Sequence, residues 1–170
     1  VPGASIFQTF QWNSCWWRAF GEGDRLLVIT CRKDQQLVGI APLMITRGRF
    51  STFLPRTELR FIGCKHYSSD YLDFIIDPDV PDALNVILEE ILGYLGEVER
   101  IRFSNFPTHF ENYSRVNEYL RSQKARFTVE LDHKAPYRLL GNEEEDHRTV
   151  NKSALRRKYN FFSKAGDIHF

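Results

Sequence analysis

The side chains best equipped for acid–base chemistry lie together in His66-Tyr67-Ser68-Ser69-Asp70-Tyr71-Leu72-Asp73. A carboxylate or imidazole can take a proton from an attacking amine, and a tyrosine can return one to a leaving group, provided their pKa values are tuned toward neutrality. If Asp70 to Ile76 forms a strand, Leu72, Phe74 and Ile76 share one face while Tyr71 and Asp73 share the other, which places that pair to line a cleft. The candidate catalytic residues are therefore Asp70, Tyr71, Asp73 and His66. An architectural reading stands beside each: Asp70 capping a turn, Asp73 paired with an arginine such as Arg60, and His66 an ordinary loop residue. Ser68 and Ser69 lack a G-x-S-x-G elbow, so a serine hydrolase is the poorer reading.

A second grouping is electrostatic. Arg148, Lys152 and Arg156 recur every fourth residue, forming one stripe of a helix with Arg157, Lys158 and Lys164 beside it and no acid between Asp146 and Asp167. Arg148, Lys152, Arg156 and Arg157 are candidate anion-binding residues, for a nucleotide phosphate, a polysaccharide-linked anion or a nucleic-acid backbone. Val150, Leu155, Tyr159 and Phe162 give the same helix an apolar side, the pattern of a packing or linking element with a solvated basic face. The aromatic interleaving of single-strand binders is absent, and nucleic acid is not an expected partner. Trp12, Trp16 and Trp17, at helical spacing, read as core.

The elements that must position these residues follow from periodicity. Phe10 to Phe20 reads as an amphipathic helix stopped at Gly21. Leu26 to Cys31 and Leu37 to Ile45 read as a hairpin around a polar turn. The second strand is apolar on both faces, which calls for helices on both sides of the sheet, and Pro42 marks an expected break in pairing. Arg47 to Arg56 reads as a loop, with strands at Leu59–Gly63 and Asp70–Ile76 after it. A helix over Pro81–Leu95, a strand at Arg100–Phe106, a helix over Tyr113–Gln123 and a strand at Arg126–Leu131 complete the order before the basic helix.

Composition sets the frame. A chain of 170 residues, 42% hydrophobic and 14% aromatic, is long and apolar enough to bury a core without disulfides or metal. The formal net charge of +1 provides no global field. Cys15, Cys31 and Cys64 are widely spaced and odd in number, so they read as reduced, buried thiols, and no metal site is expected. No apolar run approaches the ~20 residues of a membrane helix and the start carries no signal-peptide pattern, so a cytoplasmic location is expected. The run Ile168-His169-Phe170 reads as a strand beginning at a cut.

This order of elements, with Gln36-Leu37-Val38-Gly39-Ile40-Ala41-Pro42-Leu43 in the hairpin, resembles the GNAT fold of N-acetyltransferases. Phe7-Gln8-Thr9-Phe10-Gln11-Trp12, Asp70-Tyr71-Leu72-Asp73 and Lys152-Ser153-Ala154-Leu155-Arg156-Arg157-Lys158 through Gly166-Asp167-Ile168 resemble bacterial tandem-GNAT acetyltransferases of the cellulose-biosynthesis type, distant relatives of the FemAB peptidyltransferases. The resemblance implies an α+β fold with a mixed, mainly antiparallel sheet flanked by helices and followed by a basic C-terminal helix. It divides the chain into a GNAT-like N-terminal domain at 1–135 and a linker with basic helix at 136–170, leading into a second GNAT-like half. It further implies an acyltransferase that moves an acyl group from acetyl-CoA or another acyl-CoA to an amine or hydroxyl of a small-molecule or glycan-precursor acceptor. The Gln/Arg-x-x-Gly-x-Gly/Ala turn that grips the donor pyrophosphate is missing, so the donor is expected to bind mainly outside this chain, and the isolated chain to be inactive. The competing reading is a non-catalytic binding module of the same fold.

Overall fold

The computed structural model describes residues 4–51, 54–65 and 69–131, together with Arg157 and Asn160. The chain divides into two compact units, 1–127 and 128–170. The first is a mixed α+β unit with a mainly antiparallel sheet and helices packed against it.

Helix α1 covers Phe10–Phe20, and its first turn is closed by Thr9, whose hydroxyl accepts the Trp12 amide. Strands β1, Arg25–Lys33, and β2, Gln36–Ser51, form the expected hairpin. Asp34 and Gln35 both adopt positive φ, the backbone a two-residue turn needs to match strand twist. Pairing steps from Cys31 opposite Gly39 to Arg32 opposite Leu37, so Val38 is the extra residue of a bulge, and it is buried in the core.

Strand β2 runs further than the alternation predicts. The expected loop at 47–56 is instead ladder, since β2 continues to Ser51 and β3, Leu54–Phe61, returns beside it. Pro42 sits within an unbroken ladder to β1, opposite Val28. Its carbonyl accepts the Ile62 amide on the other side of β2. The missing Pro42 N–H faces that same side, between the end of the β3 ladder at Leu43 and the start of the β4 ladder at Ile40, where no pairing is lost.

Beyond this meander lie β4, Ile75–Ile76, antiparallel to β2, helix α2, Ala83–Gly93, and β5, Arg100–Arg102, parallel to β3. Helix α3 follows at Glu111–Ser122. The expected strand over Arg126–Leu131 does not form: this stretch has no regular structure, and Val129 and Leu131 are exposed. Alternation records only that every second residue is apolar, and a strand also needs a neighbour to accept its hydrogen bonds.

Both faces of β2 are covered. Leu43 and Ile45 join Leu59, Phe61, Leu84, Ile87, Leu88 and Ile91 in the main core, while Met44, one step out of phase, packs with Trp16 of α1 and Ile62. A Cβ at Gly39 would stand 2.8 Å from Ile87 Cδ1 of α2, so the end of that side chain would have to move to admit a larger residue. Phe61 anchors an aromatic cluster, its ring centroid 5.0 Å from Phe74, 4.9 Å from Phe103 and 5.9 Å from Phe106. Among the described residues no helix is long and apolar enough to cross a membrane.

Candidate functional site

Within the chemistry-bearing group the fold departs most from the sequence pattern at Tyr71. Its φ of +53° is left-handed, a conformation that costs a bulky residue about 1–3 kcal/mol. The turn it makes ends the alternation: Leu72, Asp73 and Phe74 are buried in succession, while Tyr71 is 38% exposed. Tyr71 and Asp73 therefore do not share a strand face, and regular strand is confined to Ile75–Ile76. Asp70 is exposed.

The turn is held by Asn105, itself at a φ of +57°. Its side-chain amide donates to the Ser69 carbonyl at 2.6 Å, and its carbonyl accepts the Leu72 amide at 2.9 Å, so one residue clamps both ends of the segment carrying Tyr71. The Ser5 hydroxyl donates to the Tyr71 carbonyl at 3.3 Å. Ser69 is fully enclosed and accepts the Trp12 indole N–H at 2.9 Å, which ties α1 to this loop. Gly63, at a φ of +91°, lies against it: a Cβ there would stand 2.5 Å from Ser69 Oγ.

Asp73 is 7% exposed. Its Oδ1 accepts the Phe74 amide at 2.7 Å, and Asn112, in the first turn of α3, donates Nδ2 to both oxygens at 3.1 Å each and to the Phe74 carbonyl at 3.1 Å. These hydrogen bonds stabilise the carboxylate, but burial outweighs them and pushes the carboxyl from 3.8 up to about 7. Oδ2 takes fewer of these bonds than Oδ1, so it is the oxygen with room for a proton. Arg60 is not its partner. Its guanidinium binds Glu58 at 2.7 Å, with Arg100 at 3.7 Å from the other Glu58 oxygen.

Around Tyr71 gather two residues that the sequence reading did not single out. The Phe110 ring stacks near it at 6.3 Å and 28°, and His109 meets it edge-on at 6.5 Å and packs against Phe110 at 4.8 Å. Asn105, His109, Phe110 and Asn112 come from segments about 35–40 positions downstream, and no local motif links them to the loop at 69–74.

The remaining candidates divide simply. His66, Arg148, Lys152 and Arg156 lie outside the described residues, as does the rest of the basic helix apart from Asn160 and Arg157, the latter helical and exposed. All three cysteines are free, but Cys15 is exposed and Cys31 and Cys64 are half-buried, which corrects the expectation of three buried thiols. Burial pushes the Cys64 thiol up, against the opposing charge of Arg60, so it stays protonated and is a poor nucleophile. Among the described residues no His, Cys, Asp and Glu side chains are grouped so as to hold a metal. An open groove of about 550 Å³ between β1 and α2, lined by Leu27, Ile29, Val86, Glu89, Glu90 and Tyr94 among others, includes none of the candidate residues.

Set against known proteins, the chain matches no family model and no curated protein.

Proposed function

We propose that this chain is the acceptor-side half of a GNAT-type acyltransferase, in which Asp73 takes the proton from an amine or hydroxyl acceptor as it attacks an acyl-CoA. The observation that carries the reading is a buried carboxyl titrating at about 7, with Oδ2 the less engaged oxygen, on the loop that exposes Tyr71. A base is most useful when its pKa lies near the working pH, and burial supplies that tuning here. The antiparallel meander followed by strand–helix alternation is compatible with the GNAT resemblance. On this reading the acyl-CoA, whose pyrophosphate-gripping turn does not occur in this sequence, binds mainly to a second half of the protein, and the reaction takes place in the cytoplasm.

A second reading has its own support. Asp73 is almost wholly enclosed, and its bonds to Asn112 pin α3 to the β4 loop, the arrangement of an architectural residue in a non-catalytic binding module. Acyl transfer from acetyl-CoA to amino acceptors, assayed in the full-length protein, separates the two. A general base at Asp73 requires Asp73→Asn to lower kcat by about 100-fold or more and to abolish the limb of the pH–rate profile near neutrality. Unchanged kcat and an unchanged profile in a folded variant reject the catalytic role.

A further inference from the structure

We propose that Tyr71, His109 and Phe110 form a stacking subsite for the ring of an amino sugar. Three aromatic rings gather at one place, and Tyr71 remains 38% exposed beside the closer pair His109 and Phe110. Its presentation is built: a bulky side chain is held at a φ of +53°, and Asn105 clamps the segment at Ser69 and Leu72. Asparagine or glycine would occupy a left-handed position with less strain, so the aromatic side chain is kept there against the backbone's preference. The faces of such rings carry negative potential and attract the weakly positive C–H face of a pyranose.

Charge selects among ring-shaped ligands. The segments that build this place, 69–76 and 103–114, contain Asp70, Asp73 and Glu111 and no lysine or arginine. Arg115, one turn along α3, is paired with Glu111 at about hydrogen-bond distance. Within these described segments a phosphorylated nucleotide finds no lysine or arginine, whereas a sugar bearing an ammonium meets the exposed carboxylate of Asp70. Placing the ring on Tyr71 rests on the geometry of this cluster alone; naming it as the acyl acceptor rests on the acyltransferase reading above.

Glucosamine, glucose and adenosine are titrated separately into the 170-residue chain, with binding followed by the ring resonances of Tyr71 and Phe110 and by saturation transfer to the sugar protons. Glucosamine is expected to bind saturably in the millimolar range, several-fold tighter than glucose, with adenosine weaker than both. Tyr71→Asn is expected to unfold at the same or higher denaturant concentration than the parent and to weaken glucosamine binding at least tenfold. His109→Ala, at an exposed position, should weaken it several-fold and serves if Tyr71→Asn does not fold. Absence of saturable glucosamine binding, equal or tighter adenosine binding, or full binding by both variants overturns the subsite. Because no acyl donor enters this experiment, its failure leaves the transfer reaction to be judged by the Asp73 assay.

Discussion

Replacing Asp73 by Asn should flatten part of the protein's stability-versus-pH curve, and the size of the effect follows from its burial. In the unfolded chain the carboxyl ionises near 3.8, and in the folded chain burial pushes it to about 7. Between those values the folded state holds a proton that the unfolded state has released, so raising the pH favours unfolding. The favourable contribution is fully present below the unfolded value and is lost as the pH rises through the folded one. Roughly three pH units at about 1.4 kcal/mol each make this loss on the order of 4 kcal/mol, more than half of which falls between about pH 5 and pH 8. The assay is urea unfolding of parent and Asp73→Asn at several pH values across that range. The amide brings its own constant cost, since it must accept from Phe74 and Asn112 with one oxygen, and subtraction at each pH leaves only the slope. With a urea m-value of about 1–3 kcal/mol per molar, the midpoints should converge or cross by roughly 1–3 M. A difference that stays constant within about 0.5 kcal/mol over this range would refute the claim that burial dominates Asp73.

Three further outcomes follow from the same structure. Removing the Asn112 donor, as in Asn112→Ala, should raise the Asp73 pKa further, because the hydrogen bonds that favour the carboxylate are lost while burial remains; side-chain carboxyl NMR titration reads the direction. Gly63→Ala should destabilise the fold by about 1–3 kcal/mol in chemical denaturation, since the new methyl needs both a positive φ and the space held by Ser69 Oγ. Phe61→Ala, at the centre of four packed phenylalanines, should cost about 3–5 kcal/mol and lower the unfolding midpoint accordingly.

Much of the scaffold is legible in local pattern. The 3.6-residue period marks α1 and α2 to within a few residues, and the two-sided apolar text of Leu37 to Ile45 foretells a strand covered on both faces, where the structure packs Trp16 on one side and α2 on the other. These features are readable because helix faces and strand faces repeat at short, fixed intervals. Strand limits are less so: Arg47 to Ser51 looks like a loop yet is ladder, and Arg126 to Leu131 looks like a strand yet is not, because a ladder depends on a partner elsewhere in the chain.

The candidate site divides along the same line. Residue type alone singles out the loop holding Tyr71 and Asp73 as the place where acid–base chemistry is concentrated. Its geometry belongs to the tertiary structure. Asn105 holds Tyr71 in a backbone conformation that no alternation rule anticipates, and that turn exposes the ring while sending Asp73 inward. Asn112, 39 positions away, then meets the carboxylate in a largely enclosed place. A side chain's chemistry is written in its type, but its pKa and its neighbours depend on which distant segments fold over it, and only the packed chain decides that.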